Sequence, residues 1–256
     1  MSHSQPDRQL RWEACYNARD LGGYATADGG RTRWGAFVRA DNLSRLTQAG
    51  QAALIAYGVR TVIDLRRAYE LTIDLNPFAA PSEHTRAVTY LNLPLGLGAD
   101  RDGILAVQAA GEGDDPSLMA TFCLVLDHYW RGIAGVMAAI AAAPPGAVLF
   151  HCHAGKDRTG LVAALLLALA GVPSATIAED YALSQVCLQP IFEHELRQEP
   201  DPAKREQMPW WMAAAPTTML GVLAHLEQRH GGAERYLRAA GVVAADLDRL
   251  RQRIRE

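Results

Sequence analysis

Two unlike apolar segments flank the run His151-Cys152-His153-Ala154-Gly155-Lys156-Asp157-Arg158-Thr159-Gly160. Ala147-Val148-Leu149-Phe150, just before it, reads as a short buried strand. Leu161 to Ala170, just after it, is rich in Leu and Ala and reads as a buried helix that stops at Gly171. A strand, a glycine-bearing loop and a helix in that order form a backbone device for holding an anion. Successive N–H groups turn inward, and the positive end of the helix faces the ligand. Cys152 opens this loop, so the field that attracts an anion also favours a thiolate there. Arg158 closes it from the helix side with a planar fork able to hold two oxygens at once. The Thr159 hydroxyl, at the helix start, is placed to bond the sulfur. The spacing is not that of a nucleotide-binding loop, which needs Gly-Lys-Ser/Thr after a longer glycine-led run.

Taken as a whole, this stretch resembles the C-x5-R-T signature loop of the protein tyrosine phosphatase superfamily. Its fuller form, His-Cys-x-Ala-Gly-Lys-Asp-Arg-Thr-Gly, is similar to the bacterial branch of tyrosine/phosphoinositide phosphatases that includes mycobacterial enzymes. The likeness extends to Asn17-Ala18-Arg19-Asp20-Leu21-Gly22-Gly23-Tyr24, Val38-Arg39-Ala40-Asp41 and Asp64-Leu65-Arg66, and to the tail from Leu220 through Tyr236-Leu237 to Leu250. It therefore spans roughly residues 12 to 255.

At 256 residues the chain is long enough for one substantial core, and no linker divides it. We expect a single domain over 12–256 with a frayed terminus at 1–11. A net charge of −3 and a pI near 6.2 imply no general attraction to nucleic acid or acidic membranes, so recognition of an anion must be local. Four cysteines without paired spacing argue against a disulfide scaffold, and Cys15, Cys123 and Cys187 fit ordinary buried roles. The polar start Met1-Ser2-His3-Ser4-Gln5-Pro6 has no apolar signal core. Proline and glycine interrupt both uncharged stretches, 132–150 and 159–178, so no integral membrane segment is expected. A cytoplasmic, reducing location is the expectation, although export without a cleavable signal leaves no mark in sequence.

Gly29-Gly30 predicts a turn between two short strands, the second near Ala36 to Arg39. Thr47 caps a helix that runs to Tyr57 and stops at Gly58. Strands follow at Val59 to Leu65 and Val88 to Leu93. Residues 96–116 read as a surface loop with a short helix around Ile104 to Ala109. Ser117 to Ala143 reads as one long helical stretch ended by Pro144-Pro145-Gly146. This alternation predicts an α/β fold: a central, mainly parallel sheet flanked by helices, tyrosine-phosphatase-like, with extra C-terminal helices. Ligands of such sheets bind outside the carboxyl ends of the strands, where Cys152 lies. The segment 188–216, with Pro200-Asp201-Pro202 and Met208-Pro209-Trp210-Trp211-Met212, reads either as a flap over the active site or as a helix pair docked on the core.

The resemblance implies a phosphatase with Cys152 as nucleophile and a cysteinyl-phosphate intermediate. It implies that Arg158 and the backbone N–H groups of His153, Ala154, Gly155, Lys156, Asp157 and Arg158 hold the equatorial oxygens, with Gly160 behind them. No metal and no cofactor are needed. Lys156 adds charge at the rim and, in that branch, goes with tolerance for phosphoinositides; an ordinary solvated lysine is the alternative. Three aspartates compete as general acid: Asp157 in the loop, which is favoured, Asp64 at the end of a strand before Arg66, and Asp20. Asp64 and Asp20 could equally form ion pairs that position Arg158 or Arg19. Asp64 and Arg66 are also candidates for contact with substrate. His151 orders the loop, with Asn17, Arg19 and Asp20 as support.

The expected substrates are phosphotyrosine monoesters, with phosphoserine/threonine or phosphoinositides as further candidates. A sulfurtransferase or arsenate reductase would also use a cysteine in an anion loop, but without the Lys-Asp-Arg-Thr ending. A phospho-ligand binding module without turnover would dispense with the cysteine or the arginine. Metal ligation by His151, Cys152 and His153 is disfavoured because consecutive residues leaving a strand diverge. The oligomeric state is not legible.

Overall fold

The computed structural model describes residues 7–80, 82–96 and 118–256, apart from the side chains of Gln207, Trp210 and Trp211. The short helix expected at Ile104 to Ala109 lies outside the described residues. A five-stranded sheet in the order β1-β2-β5-β3-β4 organises the chain. Its strands are β1 (Arg19–Asp20), β2 (Phe37–Ala40), β3 (Val59–Asp64), β4 (Thr89–Asn92) and β5 (Ala147–His151). Only the edge pair β1–β2 is antiparallel. The mainly parallel α/β sheet read from the sequence is therefore present.

β5 is the central strand, and its side chains show why both faces must be covered. Val148 and Phe150 join Phe37, Ile63 and Leu65 in one apolar cluster. Ala147 and Leu149 join Val38, Ala40, Val59 and Val62 in the other. Successive strand residues point to opposite faces, so a strand apolar at every position needs a layer on each side. The first layer holds α3 (Leu118–His128), α4 (Trp130–Ala142), α5 (Asp157–Leu169), α6 (Ser174–Gln198), α8 (Pro216–His230), α9 (Ala233–Ala239) and α10 (Ala244–Ile254). The second is smaller: α1 (Gln48–Ala56), Trp12 and Phe78.

The local signals for α1 hold in detail. Thr47 Oγ1 accepts from Gly50 N at 3.1 Å, and Gly58 leaves the helix at φ +104°. Other expectations need correction. Gly29-Gly30 turns a single-bridge hairpin, Ala25 with Arg31, and β2 pairs instead with Arg19–Asp20. Residues 8–10 are not frayed: Asp20 N donates to Arg8 O and Leu10 N to Ala18 O, which extends the sheet beyond β1. In place of one long helical stretch, Leu118–His128 and Trp130–Ala142 are two helices broken at Tyr129. The Tyr129 ring lies so close to Gly96 that a Cβ there would stand 2.4 Å from it. The helix after the loop begins at Asp157, four residues earlier than its apolar run suggested.

Residues 188–216 are mostly helical. α6 continues to Gln198 and α7 (Pro202–Met212) follows. Ala213 and Ala214 tie the end of α7 down, as described below. No helix among the described residues is long and apolar enough to cross a membrane.

Candidate active site

β5 delivers Cys152 to the carboxyl edge of the sheet, and α5 starts five residues later. What shapes the loop between them is the fate of its carbonyls. His151 O accepts from Leu65 N at 2.8 Å, and His153 O from Asn42 N at 2.8 Å. Cys152 O meets His151 Nδ1 at 2.9 Å. Asn17 Nδ2 donates to Ala154 O at 3.0 Å and Gly155 O at 3.2 Å. Arg39 Nη2 donates to Gly155 O at 2.8 Å and Lys156 O at 3.3 Å. Every carbonyl from 151 to 156 is thus bonded to the surrounding protein. A trans peptide points its N–H opposite to its C=O, and no peptide among the described residues is cis. The N–H groups of 153 to 157 therefore turn away from those partners, toward the inside of the loop that Cys152 opens.

Gly155 is required where it stands. Its φ is +64°, and a Cβ would lie 2.3 Å from Ala40 O. Asn17, which holds the two middle carbonyls, is itself set by Arg19: Nη1 donates to Asn17 Oδ1 at 2.6 Å. Behind Arg19 and Arg39 stands Asp180 of α6. It accepts from Arg19 Nε at 2.9 Å, Arg39 Nη1 at 2.6 Å and the Tyr24 hydroxyl at 2.9 Å. Burial alone would raise the Asp180 carboxyl, but the two guanidinium charges hold it well below the usual carboxylate range.

The carboxylate partner of Arg158 is Glu70 of α2 (Ala68–Ile73). Nη1 donates to Oε2 at 2.6 Å and Nη2 to Oε1 at 2.7 Å. Glu70 Oε2 also accepts from Arg67 N at 2.9 Å, so the helix start fixes the carboxylate. Burial of Arg158 opposes its charge, yet Glu70 and the nearby Cys152 raise its affinity for the proton further.

Asp64 neither contacts Arg158 nor reaches the pocket. It is wholly buried, with Oδ2 taking bonds from Arg66 Nη2 at 2.7 Å, Asn76 Nδ2 at 3.1 Å and Tyr90 Oη at 3.1 Å. His151 Nε2 lies 3.3 Å from the same oxygen. Burial would raise the Asp64 carboxyl, but His151 and Arg66 hold it far below its usual value. A carboxylate enclosed this way cannot protonate a leaving group in the pocket. Arg66, also wholly buried, spends its guanidinium on Asp64 and on Asp74 O at 2.9 Å. Neither is positioned to touch substrate.

Asp20 does not pair with Arg19. Its oxygens accept from Gly22 N, Gly35 N and the Tyr57 hydroxyl, which secures the turn after β1. Lys156 is not at a solvated rim. It is 1% exposed, and Nζ donates to Asp157 Oδ1 at 2.8 Å and Ala213 O at 2.9 Å. Ala214 N donates to Gln185 Oε1 at 3.1 Å, so the segment after α7 is fastened to both the loop and α6. Asp157 stays partly open, its side chain 34% exposed. Thr159 Oγ1 is buried without a hydrogen-bond partner, so the expected bond to sulfur is not made. Gly160 packs against Tyr181. The His153 side chain is exposed.

Glu70 and Asp180 were missed in the sequence. Each carried a signal: Glu70 stands at the third position of a helix just after the strand ending at Asp64, and Asp180 is a charge inside a helix that must bury one face. All four cysteines are free, and Cys15 donates its thiol to Asp41 Oδ1 at 2.9 Å.

The similarity to known proteins agrees with this geometry. Thirty-six per cent identity over 225 residues relates the chain to a tyrosine-protein phosphatase of Nostoc commune, covering 86% of this chain and 74% of that one. The triple specificity protein phosphatase PtpB of Mycobacterium tuberculosis is 28% identical over 282 aligned positions, covering 92% of this chain and 95% of its own. A sequence model of the tyrosine phosphatase family matches residues 10–256, almost the whole length. The chain belongs to the tyrosine phosphatase family.

Proposed function

We propose that this chain hydrolyses phosphotyrosine monoesters through a cysteinyl-phosphate intermediate. The observation that carries the reading is the loop whose carbonyls are all drawn outward, leaving a ring of N–H donors around Cys152 with Arg158 beside it. The Cys152 thiolate attacks phosphorus, an S–P bond forms, and the P–O bond to the leaving group breaks. Charge on the three equatorial oxygens is met by the inward amides and by Arg158. Glu70 takes the end of the guanidinium and Leu65 O accepts from Nη1 at 3.3 Å, so Nε and the second Nη2 hydrogen remain for the phosphoryl group.

Asp157 supplies the proton to the departing oxygen. Of the three aspartates it alone combines a place in the loop with an open side chain. In the second step Asp157 takes a proton from water, the water oxygen attacks phosphorus, and phosphate leaves with the thiolate restored. Thiolate, guanidinium and amides meet the charge of both steps, so neither calls on a metal or cofactor.

Phosphoserine/threonine or phosphoinositide turnover is the second reading, and the relative named for triple specificity favours it. Lys156 does not argue for it, because its ammonium is committed to Asp157 and Ala213. Purified protein assayed with a phosphotyrosine peptide, a phosphoserine peptide and phosphoinositide vesicles tests both readings. We expect kcat/KM for the phosphotyrosine peptide to lead by tenfold or more. Cys152→Ser should abolish turnover yet bind vanadate through the same amides. Retained hydrolysis in that variant, or none of phosphotyrosine by the parent, overturns the proposal.

A further inference from the structure

On the helical side of the molecule, three metal-ligating side chains converge where α3 crosses α8. Asp127, on the last full turn of α3, accepts at Oδ1 from His225 Nε2 at 3.1 Å and from His230 Nε2 at 2.8 Å. Both imidazoles come from the C-terminal part of α8, and all three ligand atoms lie within 4.8 Å of one another. The other carboxylate oxygen, Oδ2, faces Arg229 Nε at 3.1 Å, which fixes the carboxylate with Oδ1 toward the histidines. The His230 ring packs edge-on against Tyr236, whose hydroxyl donates to Leu126 O at 2.9 Å, beside Asp127 in the chain. The donor atoms therefore sit on braced elements. The group is open enough for an ion to enter, the three side chains being 13% to 25% exposed.

We propose that Asp127, His225 and His230 form a binding site for a divalent transition-metal ion, zinc above others, that clamps α3 to α8. A two-imidazole, one-carboxylate set suits zinc and its neighbours, and not calcium or magnesium, which take oxygen ligands. Bonds of about 2.0–2.1 Å in a tetrahedron hold ligand atoms about 3.3 Å apart. Asp127 Oδ1 already stands 2.8 and 3.1 Å from the two imidazole nitrogens, a few tenths of an ångström short of that edge, and all three ligand atoms lie within 4.8 Å of one another. Water completes the fourth position. Arg229 keeps the orienting role a second carboxylate contact commonly fills in such sites. The chemistry at Cys152 uses none of these residues. The clamp acts on α8, whose N-terminus follows the Ala213–Ala214 segment fastened to Lys156 and Gln185.

The test uses the full chain carrying Cys152→Ser, so that the signature thiol cannot bind the metal. After dialysis against chelator, zinc chloride is titrated by calorimetry and cobalt(II) by visible absorption. We expect one equivalent of zinc, the intense visible bands of four-coordinate cobalt, and a thermal midpoint raised by about 5 °C at saturating zinc. His225→Gln and His230→Gln keep a donor for Asp127 but lose the imidazole, so they separate ligation from packing. Each should weaken zinc at least tenfold and erase the thermal shift while leaving the metal-free midpoint nearly unchanged. No stoichiometric zinc in the parent, or unchanged affinity in both glutamine variants, overturns the site.

Discussion

Arg158 and Glu70 face each other end to end, with two parallel hydrogen bonds of 2.6 and 2.7 Å between guanidinium and carboxylate. Glu70 is pinned in turn by the backbone of Arg67, so the orientation of the arginine is set by the start of α2.

Arg158→Lys should therefore be nearly as damaging as Arg158→Ala, lowering kcat by roughly a hundredfold to a thousandfold. Lysine keeps the charge but can neither span two phosphoryl oxygens nor pair bidentately with Glu70. Glu70→Gln should lower kcat by about tenfold with little change in the fold. Steady-state kinetics on an aryl phosphate decide the matter, and a lysine variant within a few-fold of the parent shows that charge alone suffices.

Asp157→Asn should slow esters of poorly acidic alcohols far more than an activated aryl phosphate, which departs without proton assistance. Asp64→Asn should show no such contrast, since its carboxylate is enclosed by Arg66, Asn76 and His151. It should instead lower stability by about 3 kcal/mol, as breaking a buried ion pair does. Rates across a series of leaving-group acidities, with denaturant unfolding alongside, separate the two aspartates. A loss uniform across leaving groups in Asp157→Asn removes it from the acid role.

Gly155→Ala places a Cβ 2.3 Å from Ala40 O at a φ that side chains avoid. The loop must then lift from β2, and the ring of amides opens. We expect at least a hundredfold loss in kcat with about 1–3 kcal/mol of stability lost. Crystallographic or fluorescence evidence of an undisturbed loop with parent-like turnover contradicts this.

Asp180 gives the fold a dependence on acid. Its carboxyl is held below the ordinary value of 3.8 because the charges of Arg19 and Arg39 outweigh burial. That contribution is complete above about pH 4 and is lost as pH falls through the lower folded value. Asp180→Asn should cost about 3–5 kcal/mol at neutral pH, since it leaves two buried guanidinium groups underpaired. It should also make the decline in stability below pH 4 shallower. Urea unfolding at pH 7 and pH 3 reads both effects, and parallel pH profiles for parent and variant refute the assignment.

The local part of the design was legible because strand, loop and helix are adjacent in sequence. Cys152, Gly155 and Arg158 lie within seven residues, and periodicity on either side fixes where they emerge. Thr47 and Gly58 bound α1 by the same local logic. What could not be read were pairings across long separations. Arg158 meets Glu70 from 88 residues away and Arg19 meets Asp180 from 161 away. In one dimension Asp64 and Asp20 looked like the available partners, because proximity along the chain was the only distance on offer. Lys156 misled for a related reason: charge suggests solvent, but a carbonyl from Ala213 closes over it.

The outward ties on the signature loop bear on its behaviour between turnovers. Asn17, Arg39, Asn42 and Leu65 grip its carbonyls from three separate stretches of chain, and none of those grips depends on an anion. The ring of donors is thus assembled when the protein folds, so an arriving phosphoryl group meets dipoles already aligned and induces little rearrangement. In kinetic terms the loop behaves as a template and not as a latch. Its amide proton shifts should change on vanadate binding while its backbone order parameters stay near those of β5.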